Sequence, residues 1–192
     1  MTKYLQLIEQ RTEESIAVKR ALLETQAETI ANVGAALVEA MRNGKTLYLF
    51  GNGGSAGDAQ HIAAELVGRF TKERRALPAV ALTTNTSALT ALGNDYEYAI
   101  VFARQLEAFG KPGDVVIGIS TSGNSPNVVQ GLLTAKELGL VTVGLTGETG
   151  GKTKAIANHC ICVPSRDTAR IQESHILIGH ILCEIVECEL FG

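Results

Sequence analysis

The 192-residue sequence has no tryptophan, only 4 prolines and few aromatic residues, which make up 5% of the chain. It also lacks an excess of positive charge, since 17 Lys and Arg are outnumbered by 20 Asp and Glu. Proteins that bind the phosphate backbone of nucleic acids cluster their basic side chains. The longest basic cluster, Lys72, Arg74 and Arg75, is interrupted by Glu73 and is typical of a solvated loop. The composition therefore argues against a nucleic-acid-binding protein.

Long apolar runs and metal-type cysteine spacings are also absent. No stretch reaches the ~18 consecutive apolar residues of a membrane span, and residues 1–10 lack the apolar core of a signal peptide. The four cysteines, Cys160, Cys162, Cys183 and Cys188, fit no zinc-finger or CxxC spacing and lie in apolar patterns. We therefore predict buried, reduced thiols in a cytoplasmic protein that binds neither nucleic acid nor membrane.

The spacing of apolar residues changes along the chain. Residues 1–43 repeat them at helical spacing as far as Asn43-Gly44, a pair that commonly ends a helix. Five short apolar runs follow and predict strands at 46–50, 78–82, 115–119, 140–145 and 159–163. Helices are predicted at 55–69, 86–109 with a break near Gly93-Asn94, 125–138, 151–157 and 168–190.

Strands that alternate with helices predict a parallel sheet covered by helices on both faces. Hydrophobic residues make up 45% of the chain, which is enough to bury such a core. We expect one three-layer α/β domain over residues 1–192, with a helical arm over 1–43 and an α/β core over 44–192.

Two loops that follow predicted strands are rich in glycine and hydroxyl groups. Residues 51–55 (GNGGS) follow the first strand, and residues 120–126 (STSGNSP) follow the third. Both lead into helices, whose N-termini offer free N–H donors and a partial positive charge to an anion. Neither loop is a nucleotide-binding Gly-Lys-Ser/Thr loop or a GxGxxG turn, so a small phosphorylated metabolite is the expected ligand. Ordinary turns and helix caps are the alternative interpretation.

The predicted helices also carry possible metal ligands. His61 and Glu65 are four residues apart and share one helix face. Gln172 and His180 are about two turns apart on the last helix and would flank one point if that helix crosses the site. Two imidazoles, a carboxylate and an amide oxygen suit zinc or another divalent metal. The alternative is a surface His/Glu pair and histidines that belong to the core.

Residues 51–66 (GNGGSAGDAQHIAAEL) and 118–128 (GISTSGNSPNV) resemble the sugar isomerase (SIS) domain family. With the helical arm and residues 92–95, 147–152 and 170–180, nearly the whole chain is similar to the bacterial phosphoheptose isomerases of that family. The resemblance implies a flavodoxin-like five-stranded parallel sheet. It also implies a homotetramer with sites at the subunit interfaces.

The resemblance assigns roles to matching residues. It implies that Ser120, Thr121, Ser122 and Ser125 hold the phosphate, and that the substrate is contacted by Asn52, Gly53, Gly54, Ser55, Glu65, Asn94, Asp95 and Gln172. Arg69 is a weaker candidate for the anionic end. It implies one zinc ion per subunit, bound by His61, Glu65, Gln172 and His180. Residues 165–169 receive no role.

The implied reaction is aldose–ketose isomerisation of sedoheptulose 7-phosphate to D-glycero-D-manno-heptose 7-phosphate through an enediol. This step leads to heptose precursors for the lipopolysaccharide core or other glycans. Glu65 and His180 form the implied acid/base pair, and the sequence leaves open which one is the base. One alternative is a non-catalytic regulator resembling the DnaA initiator-associating protein, which lacks these two groups. Another is a phosphosugar etherase or deaminase of the same family.

Overall fold

Strands and helices alternate along the chain in the computed structural model, which describes residues 1–192 without a gap. The strands are β1 (Leu47–Gly51), β2 (Ala79–Ala81), β3 (Val115–Ile119), β4 (Val141–Thr146) and β5 (His159–Cys162). The helices are α1 (Thr2–Arg42), α2 (Gly54–Val67), α3 (Thr86–Asp95), α4 (Ala103–Phe109), α5 (Pro126–Glu137), α6 (Gly151–Ile156) and α7 (Thr168–Phe191), with a 3-10 turn at Tyr98–Ile100.

All five strands are parallel and lie in the order β2-β1-β3-β4-β5. This is the flavodoxin-like order, so the predicted α/β architecture is confirmed. The order reverses between β1 and β3, which are neighbours in the sheet although β2 lies between them in the chain. In such sheets ligands bind beyond the carboxyl ends of the strands at this point of reversal. The two glycine- and serine-rich loops both emerge there.

Helices cover both faces of the sheet. The helices α1, α2 and α7 pack on one face, and the helices α3 to α6 pack on the other. Every residue of β1 and β3 is buried, as expected for central strands of a sheet covered on both sides. The helices α2 and α7 therefore lie side by side over the larger core.

The structure departs from the sequence-based expectations in a few places. The edge strand β2 keeps three of its five predicted residues, and the break in the 86–109 segment begins after Asp95. All four cysteines are free thiols, as predicted. The prediction that the cysteines are buried is wrong for Cys188, which is exposed because it lies on the outer face of α7. Cys160 is only partly buried. None of the helices combines the length and the apolar character that crossing a lipid bilayer requires.

Candidate active site

The loops that follow β1 and β3 lie next to each other because these two strands pair along their whole length. Gly53 is the N-cap of α2, so the helix begins directly at the end of the first loop. Ser125 is the N-cap of α5, and Pro126 occupies the first helical position, where its missing N–H costs no hydrogen bond. Two helix N-termini therefore face the same crevice, an arrangement that suits an anionic ligand.

Serine hydroxyls converge in front of α5. The Ser120 Oγ lies 2.9 Å from the Ser125 Oγ and 3.4 Å from the Ser122 Oγ. The loop is held from behind, since the carbonyl oxygen of Thr121 accepts a hydrogen bond of 2.9 Å from the Gly147 N–H. The four positions assigned to phosphate binding thus belong to one fixed loop, with hydroxyl donors at a helix N-terminus.

A second cluster lies where α2 and α7 meet. The Nε2 atoms of His61 and His180 are 2.9 Å apart, and the His61 Nε2 is 3.2 Å from the Glu65 Oε1. One ligand atom from each of these three residues falls within 4.8 Å of the others. Neighbouring ligands of tetrahedral zinc, with bonds of about 2.0–2.1 Å, are roughly 3.3 Å apart. The donor types and the two short separations therefore fit a zinc ion.

Two glycines allow α2 and α7 to come this close. A Cβ on Gly179 would lie 2.5 Å from the Ile62 Cδ1, so a larger residue next to His180 would push the helices apart. A Cβ on Gly54 would lie 2.5 Å from the Gln172 Nε2. Gln172 is therefore on the same α2–α7 seam as His61, Glu65 and His180, beside the first residue of α2.

We expect Gly179→Ala to lower zinc affinity about 10–100-fold, the usual cost of disturbing the support of a metal ligand. The added methyl would meet Ile62, and we expect the resulting shift of α7 against α2 to separate His61 from His180. Competition with a chromophoric chelator measures the effect. Gly57→Ala on α2 is the matched control, because no atom lies within 4 Å of its added Cβ. Equal zinc affinity in Gly179→Ala and the wild type would contradict this role for the glycine.

The loop after α2 contains a buried ion pair that the sequence did not reveal. The Arg74 Nε donates to the Glu187 Oε1 at 2.9 Å, and the two side chains are 1% and 0% exposed. The Arg74 guanidinium also donates to the carbonyl oxygens of Glu65 and Leu66, at the C-terminal end of α2. The expectation of a solvated basic loop is therefore wrong for Arg74, because its cation is used to cap a helix and neutralise a buried carboxylate.

Glu187 also fixes the backbone that leads away from α2. Its carboxylate accepts hydrogen bonds from the N–H groups of Phe70, Thr71 and Lys72. Burial alone would raise the pKa of Glu187, but these N–H donors outweigh it and lower the pKa to about 2. The segment thus held places the Phe70 ring in stacking contact with His180, at 5.4 Å between centroids. The only feature of the sequence that could have indicated this role is the position of Glu187, seven residues after His180 and on the same helix face.

Other predicted site residues lie nearer to solvent. Asn94 and Asp95, at the end of α3, are exposed and hydrogen bond to each other. The Arg69 side chain is 60% exposed and lies 3.7 Å from the Glu73 carboxylate. Ser55 is buried in the first turn of α2. Asn94, Asp95 and Arg69 are therefore solvent-exposed within one chain.

A cavity of about 510 Å³ opens beside the serine loop. Its wall is polar and includes the hydroxyl groups of Thr121, Ser122, Thr149 and Thr168. Ser165, Arg166 and Thr168, from the segment 165–169 to which the sequence analysis gave no role, supply part of this wall. A hydroxyl-rich cavity next to an anion-type loop suits a polyhydroxylated ligand that carries a phosphate.

His175, a further histidine of α7, is structural. It is fully buried, and its Nε2 lies 3.1 Å from the Thr146 carbonyl oxygen. Burial lowers the pKa of His175 to about 4, so the ring is neutral at neutral pH. The stability that it contributes is fully present above about pH 6.5, the usual histidine value, and is lost as the pH falls towards 4.

The chain is similar to known proteins over nearly its whole length. The family model described as the SIS domain matches residues 12–147. The phosphoheptose isomerase of Aquifex aeolicus (strain VF5) is 59% identical over 174 residues, which cover 91% of each chain. The structure of phosphoheptose isomerase GmhA from Neisseria gonorrhoeae superposes with a TM-score of 0.91 at 41% identity, covering 96% of this chain and 99% of that one. A phosphoheptose isomerase from Francisella tularensis gives a TM-score of 0.93 at 36% identity, covering 96% and 98%.

Proposed function

The chain belongs to the SIS domain family, and we propose that it works as a zinc-dependent phosphoheptose isomerase assembled from four copies. It is an aldose–ketose isomerase that converts sedoheptulose 7-phosphate to D-glycero-D-manno-heptose 7-phosphate, since it is 50–59% identical to phosphoheptose isomerases over most of its length. The observation that carries the zinc-dependent mechanism is the cluster of His61, Glu65 and His180 on the seam between α2 and α7.

We assign the zinc ion to His61, Glu65 and His180, with the amide oxygen of Gln172 as the fourth ligand. The short separations among the first three support this assignment, and Gln172 lies on the same seam. When bound there, zinc supplies Lewis-acid polarisation of the sugar oxygens at C1 and C2.

Glu65 and His180 are proposed to move the proton. One of them takes a proton from C1 of the ketose to give the enediol, and a proton is then delivered to C2, while the hydroxyl proton passes from the C1 oxygen to the C2 oxygen. Glu65 keeps a second carboxylate oxygen and His180 a second ring nitrogen for this task. Their presence favours an enzyme over a regulator that lacks both groups.

The phosphate is proposed to bind at the N-terminus of α5, where Ser120, Ser122 and Ser125 direct their hydroxyls towards one another. The polyhydroxylated carbon chain would then extend into the hydroxyl-lined cavity beside that loop. Asn52, Gly53, Gly54 and Ser55 are proposed to contact the sugar from the first loop. Asn94, Asp95 and Arg69 are exposed, as expected of residues that serve a site shared between copies.

Turnover of sedoheptulose 7-phosphate by the purified, zinc-loaded chain tests the activity. We expect an aldose phosphate whose C2 carries solvent deuterium when the reaction runs in heavy water, because the transferred proton exchanges at the base. Fructose 6-phosphate serves as the comparison ketose. Binding of sedoheptulose 7-phosphate without any aldose formation would instead indicate a sugar-phosphate-binding regulator.

The tetramer is supported by an apolar groove between α1 and α7. It has a volume of about 370 Å³ and is lined by hydrophobic side chains, including Leu22, Leu23 and Ile181. Leu23 is 69% exposed in the isolated chain. Burial of such side chains is worth ~1.5–3 kcal/mol each, which favours cover by a second copy.

We expect light scattering to report four times the chain mass of 20.3 kDa. Leu23→Lys should shift the protein to smaller species, because the charge would be buried between copies. Phe109→Lys is the matched control, since Phe109 is 56% exposed but lies on the opposite face of the sheet. A wild-type monomer would overturn the assembly.

We further propose a cytoplasmic enzyme, since the free thiols of Cys160 and Cys162, with sulfur atoms 3.7 Å apart, suit a reducing compartment. Its heptose phosphate product would feed the lipopolysaccharide core or other heptose-bearing glycans.

A further inference from the structure

The buried amide of Asn127 hydrogen bonds to a neighbouring loop and not to its own helix. Asn127 follows Pro126 in the first turn of α5 and is 2% exposed. Its side chain crosses to the neighbouring loop, where Asn52 follows β1. The Asn52 Nδ2 donates to the Asn127 Oδ1 at 2.9 Å, and the Asn127 Nδ2 donates to the Asn52 Oδ1 at 2.8 Å. A closed pair of hydrogen bonds therefore joins the two loops of the site.

The pair determines what Asn52 can offer to a ligand. The Tyr98 Oη lies 3.5 Å from the Asn52 Oδ1, on which the Asn127 Nδ2 also converges. A carbonyl oxygen has two acceptor positions and an amide nitrogen two N–H groups. Asn127 uses one acceptor position and one N–H of Asn52, and the Tyr98 hydroxyl lies near the other acceptor position. One N–H of Asn52 remains free to donate to a ligand.

We propose that Asn127 is a positioning residue of the sugar-phosphate site, which holds the Asn52 amide so that its free N–H meets an acceptor oxygen of the sugar. This inference rests on the proposed function, because it takes Asn52 to contact the substrate. An unrestrained amide would sample both orientations and would lose rotational freedom on binding. The reciprocal pair removes that cost before the ligand arrives, and the observed orientation presents the N–H.

Asn127→Asp tests the pair with almost no change in shape. The carboxylate still accepts from Asn52 but no longer donates, so two acceptor oxygens face each other. We expect kcat/KM for sedoheptulose 7-phosphate to fall at least about tenfold. Asn85→Asp is the charge-matched control, because Asn85 is the exposed N-cap of α3 and Asp caps helices equally well.

Two further readouts separate positioning from a general structural role. Inorganic phosphate, which binds the serine loop without reaching Asn52, should inhibit the wild type and the neutral variant Asn127→Leu, which adds no charge at the N-terminus of α5, with inhibition constants within about twofold, a smaller change than loss of one hydrogen bond. In a protein that already carries Asn52→Ala, Asn127→Asp should have no further effect on kcat/KM. The double variant should therefore match Asn52→Ala alone.

Parallel weakening of phosphate inhibition, an additive double variant, or unchanged kcat/KM in Asn127→Asp would each overturn the proposal. Calorimetric binding of sedoheptulose 7-phosphate to the same proteins keeps the two proposals distinct. A wild type that binds this sugar without turnover contradicts the proposed activity, while the loss of binding in Asn127→Asp still reports on Asn127.

Discussion

Glu65→Gln is expected to lower kcat for sedoheptulose 7-phosphate at least about 10²–10⁴-fold, the contribution of a positioned acid or base. The amide keeps the size of the side chain but cannot take up a proton. It also removes the anionic oxygen that lies 3.2 Å from the His61 Nε2, so the proposed zinc site would lose its only negative ligand. Kinetics and zinc content must therefore be measured on the same samples.

Deuterium exchange distinguishes the two effects of this substitution. A Glu65→Gln protein that is reloaded with zinc but exchanges no C1 hydrogen has lost the base. Glu107→Gln is the matched control, because Glu107 lies on the exposed surface of α4, and its surface pair with Arg104 contributes little. Turnover by Glu65→Gln at the wild-type rate would remove Glu65 from the reaction.

The second large effect concerns stability. Glu187→Ala leaves the Arg74 cation buried without a partner and removes the acceptor of three backbone N–H groups. Breaking a buried pair in this way costs about 3–5 kcal/mol, a large part of a usual free energy of unfolding of ~5–15 kcal/mol. Chemical denaturation of zinc-free protein at a fixed protein concentration measures the loss.

Glu189→Ala is the control for this experiment. Glu189 is also on α7, but its side chain is 60% exposed and its contact with Arg42 is 3.6 Å. We expect a change of about 0–1 kcal/mol there, as for other surface pairs. Similar losses of unfolding free energy in Glu187→Ala and Glu189→Ala would show that the buried pair stabilises the fold no more than a surface pair does.

The pH dependence of unfolding gives an independent test of Glu187. Its pKa is lowered from 4.5 to about 2 in the folded chain, so its contribution is fully present above pH 4.5 and is lost as the pH falls towards 2. Glu187→Gln should therefore flatten the stability profile below pH 4.5. His175 changes the free energy of unfolding between about pH 6.5 and 4 in both the wild type and Glu187→Gln. The difference between the two stability profiles therefore isolates the contribution of Glu187.

Local patterns in the sequence were sufficient to predict much of the architecture. The run VVIGI predicted the bounds of β3 correctly, because a central strand is apolar on both faces and polar residues flank it. The spacing of His61 and Glu65 predicted one helix face, and the structure adds His180 from α7 within hydrogen-bonding distance. The bounds of β3 and the shared face of His61 and Glu65 depend on periodicity within one element.

The remaining features depend on pairs that are distant in the sequence. Arg74 and Glu187 meet only because α7 returns beside α2, and nothing near Arg74 in the chain distinguishes it from Lys72. Asn52 and Asn127 likewise pair between the loop after β1 and the first turn of α5. Periodicity cannot reveal such pairs, since each partner has the composition of an ordinary loop or helix terminus.

Zinc removal tests the central claim most directly, when turnover of sedoheptulose 7-phosphate and bound zinc are measured in parallel on one preparation. If His61, Glu65 and His180 hold the ion that the reaction requires, activity falls in proportion to the zinc removed by a chelator and returns when zinc is added. Undiminished turnover by protein that holds no divalent metal would contradict the account.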